Sequence, residues 1–292
     1  MTVVVKIGGA RAVDPAGALA DVASLVAGDP DETANPESGA GPHDVGVTHG
    51  GSTAVDETLE RLGIEPEYVE TPEGVVGRFT DEETMEVFEM VMPGLLNTDL
   101  VADLQGRGVD AVGLSGVDGK LLYGPRTSVV RVVEDVRKKI RRGDLSGSLK
   151  EANGDLLETL LDDGYTPVVS PPMASADEED GESVVTPVNT DADRAAAAIA
   201  GKLDATLVLL TDVPGILDDP DDRDTLIREV ETPSDWERME AAAEGFMGRK
   251  VMAVREALER GAREVVVADA NLDRPVATAF EGDGTHVYPS AL

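Results

Sequence analysis

Val3-Val4-Val5-Lys6-Ile7-Gly8-Gly9 opens the chain with three β-branched residues, one lysine and a glycine pair. β-Branched side chains fit a pleated, buried surface, so the stretch predicts a short buried strand that stops abruptly at the glycines. In open α/β sheets ligands bind beyond the carboxyl ends of the strands, and glycines there let backbone N–H groups approach an anion closely. Lys6, Gly8 and Gly9 therefore suit a phosphate, although an ordinary first strand with a solvated lysine reads the same way on these residues alone. The layout recurs at Val45-Gly46-Val47-Thr48-His49-Gly50-Gly51-Ser52, where a strand again ends in glycines and a helix is predicted from about Thr53. Two glycine-tipped turns can form two walls of one anion pocket.

Outward from these turns, the chain alternates strand and helix patterns. Helices are predicted over Pro15 to Ala27, Asp81 to Val91 with a break at Pro93-Gly94, Thr98 to Gln105, Glu151 to Leu161, Ala192 to Lys202 and Val251 to Glu259. Strands are predicted at Ala111 to Leu114, Thr166 to Ser170 before a Pro-Pro turn, Val184 to Val188, Thr206 to Thr211, Glu264 to Ala268 and Thr285 to Tyr288. Leu121 to Tyr123 and Val129 to Val133 read as a hairpin across Gly124-Pro125, and Gly28 to Asp44 as a surface insertion. The alternation predicts an α/β fold: one three-layer αβα sandwich on a mainly parallel sheet. The helix from Ala192 to Lys202 is expected to join an amino-terminal lobe, about 1–200, to a carboxyl-terminal one, about 201–292.

The 292 residues are 41% hydrophobic, enough for a sizeable core. No apolar run approaches the roughly 20 residues of a membrane-spanning helix, and the start lacks a signal-peptide layout. There are no cysteines, and the three histidines, His43, His49 and His286, stand far apart, so no protein-held metal site is expected. The net charge of −33, spread through the chain, fits a cytoplasmic protein of a salt-accumulating (halophilic) organism and argues against nucleic acid as a ligand. Against that background, Arg137-Lys138-Lys139-Ile140-Arg141-Arg142 places five of the 25 basic residues within six positions. Such a concentration points to an acidic partner steered to this spot.

Neither a Walker phosphate loop nor a G-x-G-x-x-G fingerprint is present. The inventory is Lys6 and Lys250 at glycine-bearing turns, two glycine turns, and Asp193 at a helix start, where an acid can also be a plain N-cap worth about 1 kcal/mol. Phosphoryl transfer needs little more, since the protein has to position donor and acceptor and neutralise charge on the transferring group.

Six motifs in order, K-I-G-G, H-G-G-S, G-R-F-T-D-E-E-T, V-N-T-D-A-D-R-A-A, L-L-T-D-V-P-G-I-L and G-R-K-V, resemble the amino-acid kinase family in its acetylglutamate kinase branch. Within that branch, G-L-S-G-V-D-G-K-L followed by R-R-G-D-L-S-G is similar to the LysW-aminoadipate/LysW-glutamate kinases, whose substrates are carried by the small acidic protein LysW. The resemblance implies that Lys6 and Lys250 bind phosphates and stabilise the transition state, and that Asp193 holds both lysines. It implies that Arg78 binds the acceptor's α-carboxylate, that Asn189 contacts it near its blocked amino group, and that Gly50, Gly51 and Ser52 flank the transferring phosphate. Ser52 replaces the family's usual third glycine, which leaves its contact open. Gly8 and Gly9, with Thr211, Asp212 and Gly215, are implied on the nucleotide side.

The implied enzyme is a homodimer using ATP with Mg²⁺ to make an acyl phosphate for arginine or lysine biosynthesis. LysW is its implied partner, docking at Arg137, Lys138, Lys139, Arg141 and Arg142, and neither membrane nor nucleic acid is a partner. An N-acetylglutamate kinase acting on the free amino acid is the alternative of the same class. From another class, a nucleotide-binding sensor or storage protein without catalysis remains, although scarce lysines kept at both positions argue against it. Uridylate and carbamate kinases share the implied fold but fit Arg78 and Asn189 less well. An aspartate kinase is disfavoured because no regulatory domain follows within 292 residues.

Overall fold

Alternation along the first strand decides which layer receives the lysine. Val3, Val5 and Ile7 pack into one apolar cluster and Val4 into another on the opposite face of the sheet. Lys6, two residues after Val4, shares the face of Val4. The structure, a computed structural model, describes residues 1–10, 13–28, 42–70, 76–134, 137–179, 182–243 and 246–292. Most of the insertion expected at Gly28 to Asp44 lies outside the described residues, as does Gly245.

In chain order the elements are β1 (Thr2–Ile7), α1 (Pro15–Ala27), β2 (Asp44–His49), α2 (Ser52–Leu62), β3 (Tyr68–Glu70), β4 (Val76–Arg78), α3 (Glu82–Glu89) and α4 (Asn97–Gly106). They continue with β5 (Ala111–Gly116), β6 (Leu122–Tyr123), β7 (Arg126–Glu134), β8 (Arg137–Gly147), β9 (Glu151–Ala152), α5 (Gly154–Asp162), β10 (Thr166–Glu179) and β11 (Glu182–Val188). Then follow α6 (Ala192–Lys202), β12 (Thr206–Thr211), β13 (Glu229–Val230), α7 (Pro233–Ala242), α8 (Phe246–Glu259), β14 (Glu264–Asp269), α9 (Pro275–Phe280) and β15 (Thr285–Val287). Eleven strands form one sheet in the order β13-β15-β14-β12-β1-β2-β10-β6-β9, with β5 and β11 also paired to β10. The central pairs β14/β12, β12/β1, β1/β2 and β2/β10 are parallel, as the alternating pattern predicts. Helices α5, α6 and α8 pack on the face of Val4, and α1, α4 and α9 on the other.

α6 is the central helix of its layer. Its run Ala195 to Ala200 is buried throughout, and small side chains let it lie close between the sheet and α8. Asp191 caps its start by accepting from the backbone N–H groups of Asp193 and Arg194.

Several expectations are corrected. The helix is not broken at Pro93-Gly94: α3 passes into α4 through a π-helical segment, Met90–Leu96. Pro93 has no N–H to give an α-helical ladder, and the wider turn accommodates it, with the Asn97 N–H reaching the Met92 carbonyl five residues back. Leu121 to Tyr123 does not pair with Val129 to Val133. β6 instead pairs with β9 and β10, while β7 folds back on β8 as a separate two-stranded ribbon that carries the basic run. Pro171-Pro172 is no turn, because β10 runs through it with a cis peptide and forms a hairpin with β11. The acidic stretch at Asp177 to Glu182, whose composition alone suggests a solvating loop, is accordingly strand up to Glu179 and again from Glu182, the residues between lying outside the described ones. Glu151 belongs to a strand and not to α5. Lys250 stands within α8 and not in a turn before it.

Candidate active site

At the carboxyl ends of β1 and β2, the two glycine turns meet back to back. The Gly50 N–H donates to the Ile7 carbonyl at 3.0 Å and the Thr53 N–H to the Gly9 carbonyl at 3.4 Å. A Cβ on Gly9 would overlap the Gly51 backbone, and one on Gly50 would stand 3.0 Å from the Gly9 nitrogen. On Gly51 it would strike Met92 and Leu96 of the π-helical segment. All three glycines are therefore demanded by close approach. Behind them His49 is 1% exposed. Its Nδ1 donates to the Gly50 carbonyl at 3.0 Å, and its Nε2 faces the Asn97 amide at 3.3 Å. Burial lowers its pKa to about 4, so the ring is neutral at pH 7.

Asp193, on the first turn of α6, points toward the strand end. Its Oδ1 lies 2.6 Å from Lys6 Nζ and its Oδ2 3.0 Å from Lys250 Nζ. Burial opposes the negative charge, but the two ammonium groups outweigh it and hold the carboxyl well below its usual range. N-capping and lysine-holding thus fall to different residues, Asp191 and Asp193. The Arg194 guanidinium ties α6 to α8 through Glu256, with contacts of 3.0 and 2.7 Å.

Across the opening, β3 and β4 form a short ribbon with Tyr68 opposite Arg78. Arg78 pairs with Asp56 and donates to the Ser52 carbonyl at 3.2 Å and the Tyr68 hydroxyl at 3.0 Å. The Tyr68 hydroxyl in turn donates to Asp56 at 2.8 Å. The guanidinium is thus held in place by a carboxylate and a phenol.

Lys6, Gly9, Gly50, Gly51, Ser52, Arg78, Asn189, Asp193 and Lys250 all line one cleft of about 510 Å³. Four cationic side chains, those of Lys6, Arg78, Arg249 and Lys250, line it against the carboxylates of Asp191 and Asp193. In a chain of charge −33, such a surplus of cations marks a site for anions. Gly8 does not line the cleft, and a Cβ there would stand 3.1 Å from the Leu210 carbonyl. Thr211 ends β12, Asp212 and Gly215 follow it, and none of the three lines the cleft. Gly215 has φ +151° and lies close to Thr285, whose Oγ1 accepts from the Ile216 N–H at 2.8 Å.

The basic run occupies β8, outside the cleft, while Ser146 and Gly147 at the end of the same strand line it. Lys139 and Arg142 are exposed. Arg141 is engaged within the fold: it grips Glu67 at 2.6 and 2.9 Å and stacks on Phe79 at 4.4 Å. The side chains of Arg137 and Lys138 lie outside the described residues. Asp56, Tyr68, Thr80, Asp144 and Arg249 were given no role from the sequence. Arg249 adjoins Lys250, Tyr68 lines the cleft opposite Arg78 on the β3/β4 ribbon, and Asp56, Thr80 and Asp144 bond to site residues or their neighbours across long stretches of sequence. Among the described residues no three acidic or histidine side chains gather as a metal site.

The model of the amino acid kinase family matches residues 1–269. A [LysW]-aminoadipate kinase of Thermus thermophilus is 40% identical, over 98% of this chain and 99% of its own. A [LysW]-aminoadipate/[LysW]-glutamate kinase of Saccharolobus solfataricus is 34% identical, over 82% of this chain and 87% of its own. An acetylglutamate kinase of Methanopyrus kandleri is 45% identical, over 82% and 89%. Among solved structures, an N-acetylglutamate synthase of Neisseria gonorrhoeae superposes with a TM-score of 0.69 at 23% identity. That match covers 98% of this chain, which spans 59% of that protein. A carbamate kinase of Giardia lamblia bound to AMP-PNP gives 0.63 at 16% identity, covering 98% of each. The two structural likenesses speak to the fold.

Proposed function

The chain belongs to the amino acid kinase family, as an ATP-dependent phosphotransferase with a carboxyl acceptor, and on that premise we propose that it phosphorylates the side-chain carboxylate of glutamate or aminoadipate borne by LysW. The carrying observation is the junction of Lys6, Asp193 and Lys250 in a glycine-walled cleft that Arg78 and Asn189 also line. One acceptor carboxylate oxygen bonds to the γ-phosphorus as the bond to the ADP oxygen breaks, giving an acyl phosphate and ADP. Lys6 and Lys250 neutralise charge on the transferring group, and Asp193 keeps both in place. In this reading Arg78 takes the acceptor's α-carboxylate by exchanging one of its present partners, and Asn189 faces the blocked amino group. Magnesium enters with the nucleotide phosphates.

The nucleotide is assigned to the part of the chain after residue 201, near Thr211, Asp212 and Gly215, and the acceptor to the part before it. Lys139 and Arg142 on β8, with the rest of the basic run, meet the acidic carrier. The Thermus relative, aligned over nearly the whole chain, supports the carrier-linked substrate. The reading includes a homodimer in the cytoplasm of a salt-accumulating cell, in keeping with the charge of −33. A second reading, phosphorylation of free N-acetylglutamate, is favoured by the 45% identity to the Methanopyrus enzyme.

Turnover of ATP with Mg²⁺ at high KCl, with hydroxylamine trapping the acyl phosphate, separates the two. Carrier-linked glutamate, carrier-linked aminoadipate and free N-acetylglutamate are offered in parallel. Hydroxamate from the carrier-linked acids alone is expected. Hydroxamate from N-acetylglutamate alone would replace the first reading with the second.

A further inference from the structure

β8 begins as the basic edge of a ribbon and ends as a wall of the cleft, and between the two stands Asp144. This carboxylate is 2% exposed. Burial pushes its pKa up, opposed by the hydrogen bonds from Thr80 and Ser146 and by the charge of Arg126. Its Oδ1 accepts from the Thr80 backbone N–H at 2.9 Å and from the Ser146 hydroxyl at 3.1 Å. None of the roles above uses it.

Thr80 is fully buried, and each of its polar groups is engaged. The N–H goes to Asp144, the carbonyl accepts from the Leu145 N–H at 2.6 Å, and Oγ1 accepts from the Asn189 side-chain amide at 2.9 Å. Asn189 is meanwhile held by its backbone, its N–H donating to the Leu145 carbonyl at 2.7 Å and its carbonyl accepting from the Gly147 N–H at 2.8 Å. Residues 80, 144 to 147 and 189 thus form one closed network that lines the cleft with Ser146, Gly147 and Asn189, and of these Asn189 is the one whose side chain is held by Thr80. Thr80 follows Arg78 by two residues, so the same anchor steadies the segment that presents the guanidinium.

We propose that Asp144 is a positioning residue for the acceptor: through Thr80 it fixes the Asn189 amide in the orientation that meets the substrate. The inference rests on the acceptor role given to Asn189. A hydrogen bond to a charged group is worth enough that its loss should raise acceptor KM by about ten- to a hundredfold if it acts on binding. A role confined to stabilising the ribbon would lower Tm and leave the KM values alone.

The test compares Asp144→Ala, Asp144→Asn, Asn189→Ala and the double variant Asp144→Ala/Asn189→Ala, varying carrier-linked glutamate and ATP in turn and recording Tm. Asp144→Ala should raise KM for the acceptor at least about tenfold, with KM for ATP within about twofold. Asp144→Asn keeps an oxygen for the Thr80 N–H and should recover most of the loss. The double variant should be no worse than Asn189→Ala, because both changes remove one interaction. Additive losses, or equal rises in both KM values, or a lowered Tm with normal acceptor KM, would overturn the positioning role alone. A normal acceptor KM in Asn189→Ala would overturn the acceptor reading of Asn189, and the positioning role with it. Should Asp144→Ala fail to fold, Thr80→Val removes only the hydroxyl that receives Asn189, and it must reproduce the acceptor-specific rise.

Discussion

Replacing Asp193 by asparagine strands two cations in the protein's interior. Asp193 is 8% exposed, and Lys6 and Lys250 stand 2.6 and 3.0 Å from its two oxygens. At an effective dielectric near 20, each contact is a gross attraction of about 6 kcal/mol, offset in large part by the cost of taking the charges out of water. Removing the shared partner leaves that cost unanswered, and the net loss of stability is about 3–5 kcal/mol. For a chain of this size that corresponds to a fall in Tm of roughly 10 °C. Turnover falls further, because both ammonium groups lose the carboxylate that orients them, and a drop in kcat of about 10²–10³ is expected. Thermal melts and hydroxamate-trapped turnover at fixed KCl give the two readouts. A Lys6→Met/Asp193→Asn double variant should regain part of the lost Tm while remaining inactive, since one stranded charge is gone. An Asp193→Asn enzyme melting within about 2 °C of the parent and turning over within about tenfold of it would refute the argument.

The pH dependence of stability should show His49. Its folded pKa, about 4 against 6.5 unfolded, means the unfolded chain binds the extra proton between those values. The stabilisation it gives is present above about pH 6.5 and lost as pH falls toward 4, about 3 kcal/mol in all. His49→Gln should flatten that window in chemical melts, whereas an unchanged slope would exclude His49 as its source. Changing Lys139 and Arg142 to serine, together with Arg137 and Lys138, should raise KM for carrier-linked substrate far more than for ATP, by a factor that shrinks with added KCl. Equal effects on both would count against docking there. Arg141→Ser should additionally lower Tm, because it removes the grip on Glu67 and the stack on Phe79. Gly51→Ala should abolish turnover even where the protein folds, since the new methyl displaces the turn from Met92 and Leu96; near-normal kcat would contradict the crowding described.

What could be read from the sequence was what is local. α1 and α6 run over the residues predicted, Pro15–Ala27 and Ala192–Lys202, because Asp14 and Asp191 mark their starts and apolar spacing their bodies. Glycines after β1 and β2 marked the turns that crowd together. Val129 to Val133 was read as strand and lies in β7, but its partner β8 escaped because Arg137 to Asp144 is charged at nearly every position and leaves no apolar alternation to detect. Pro93 and Pro171-Pro172 were read as punctuation, yet a π-turn and a cis bond carry the elements through them. The Lys6–Asp193–Lys250 junction came through family motifs. The partners of Arg78 and the Asp144–Thr80–Asn189 network did not, since each joins residues whose proximity only the assembled fold creates.

The position of β1 bears on how the protein is made. β1 lies at the centre of the sheet, with β2 on one side and β12, made some two hundred residues later, on the other. Its second edge waits until Thr206 to Leu209 have been synthesised, the ion pair of Lys6 waits for Asp193, and that of Asp193 with Lys250 comes later still. Non-local parallel pairing of this kind is slow to form, and until then Val3 to Ile7 present an apolar, half-paired strand. A chain released before β12 is complete therefore exposes a template for aggregation and has no active fragment to offer.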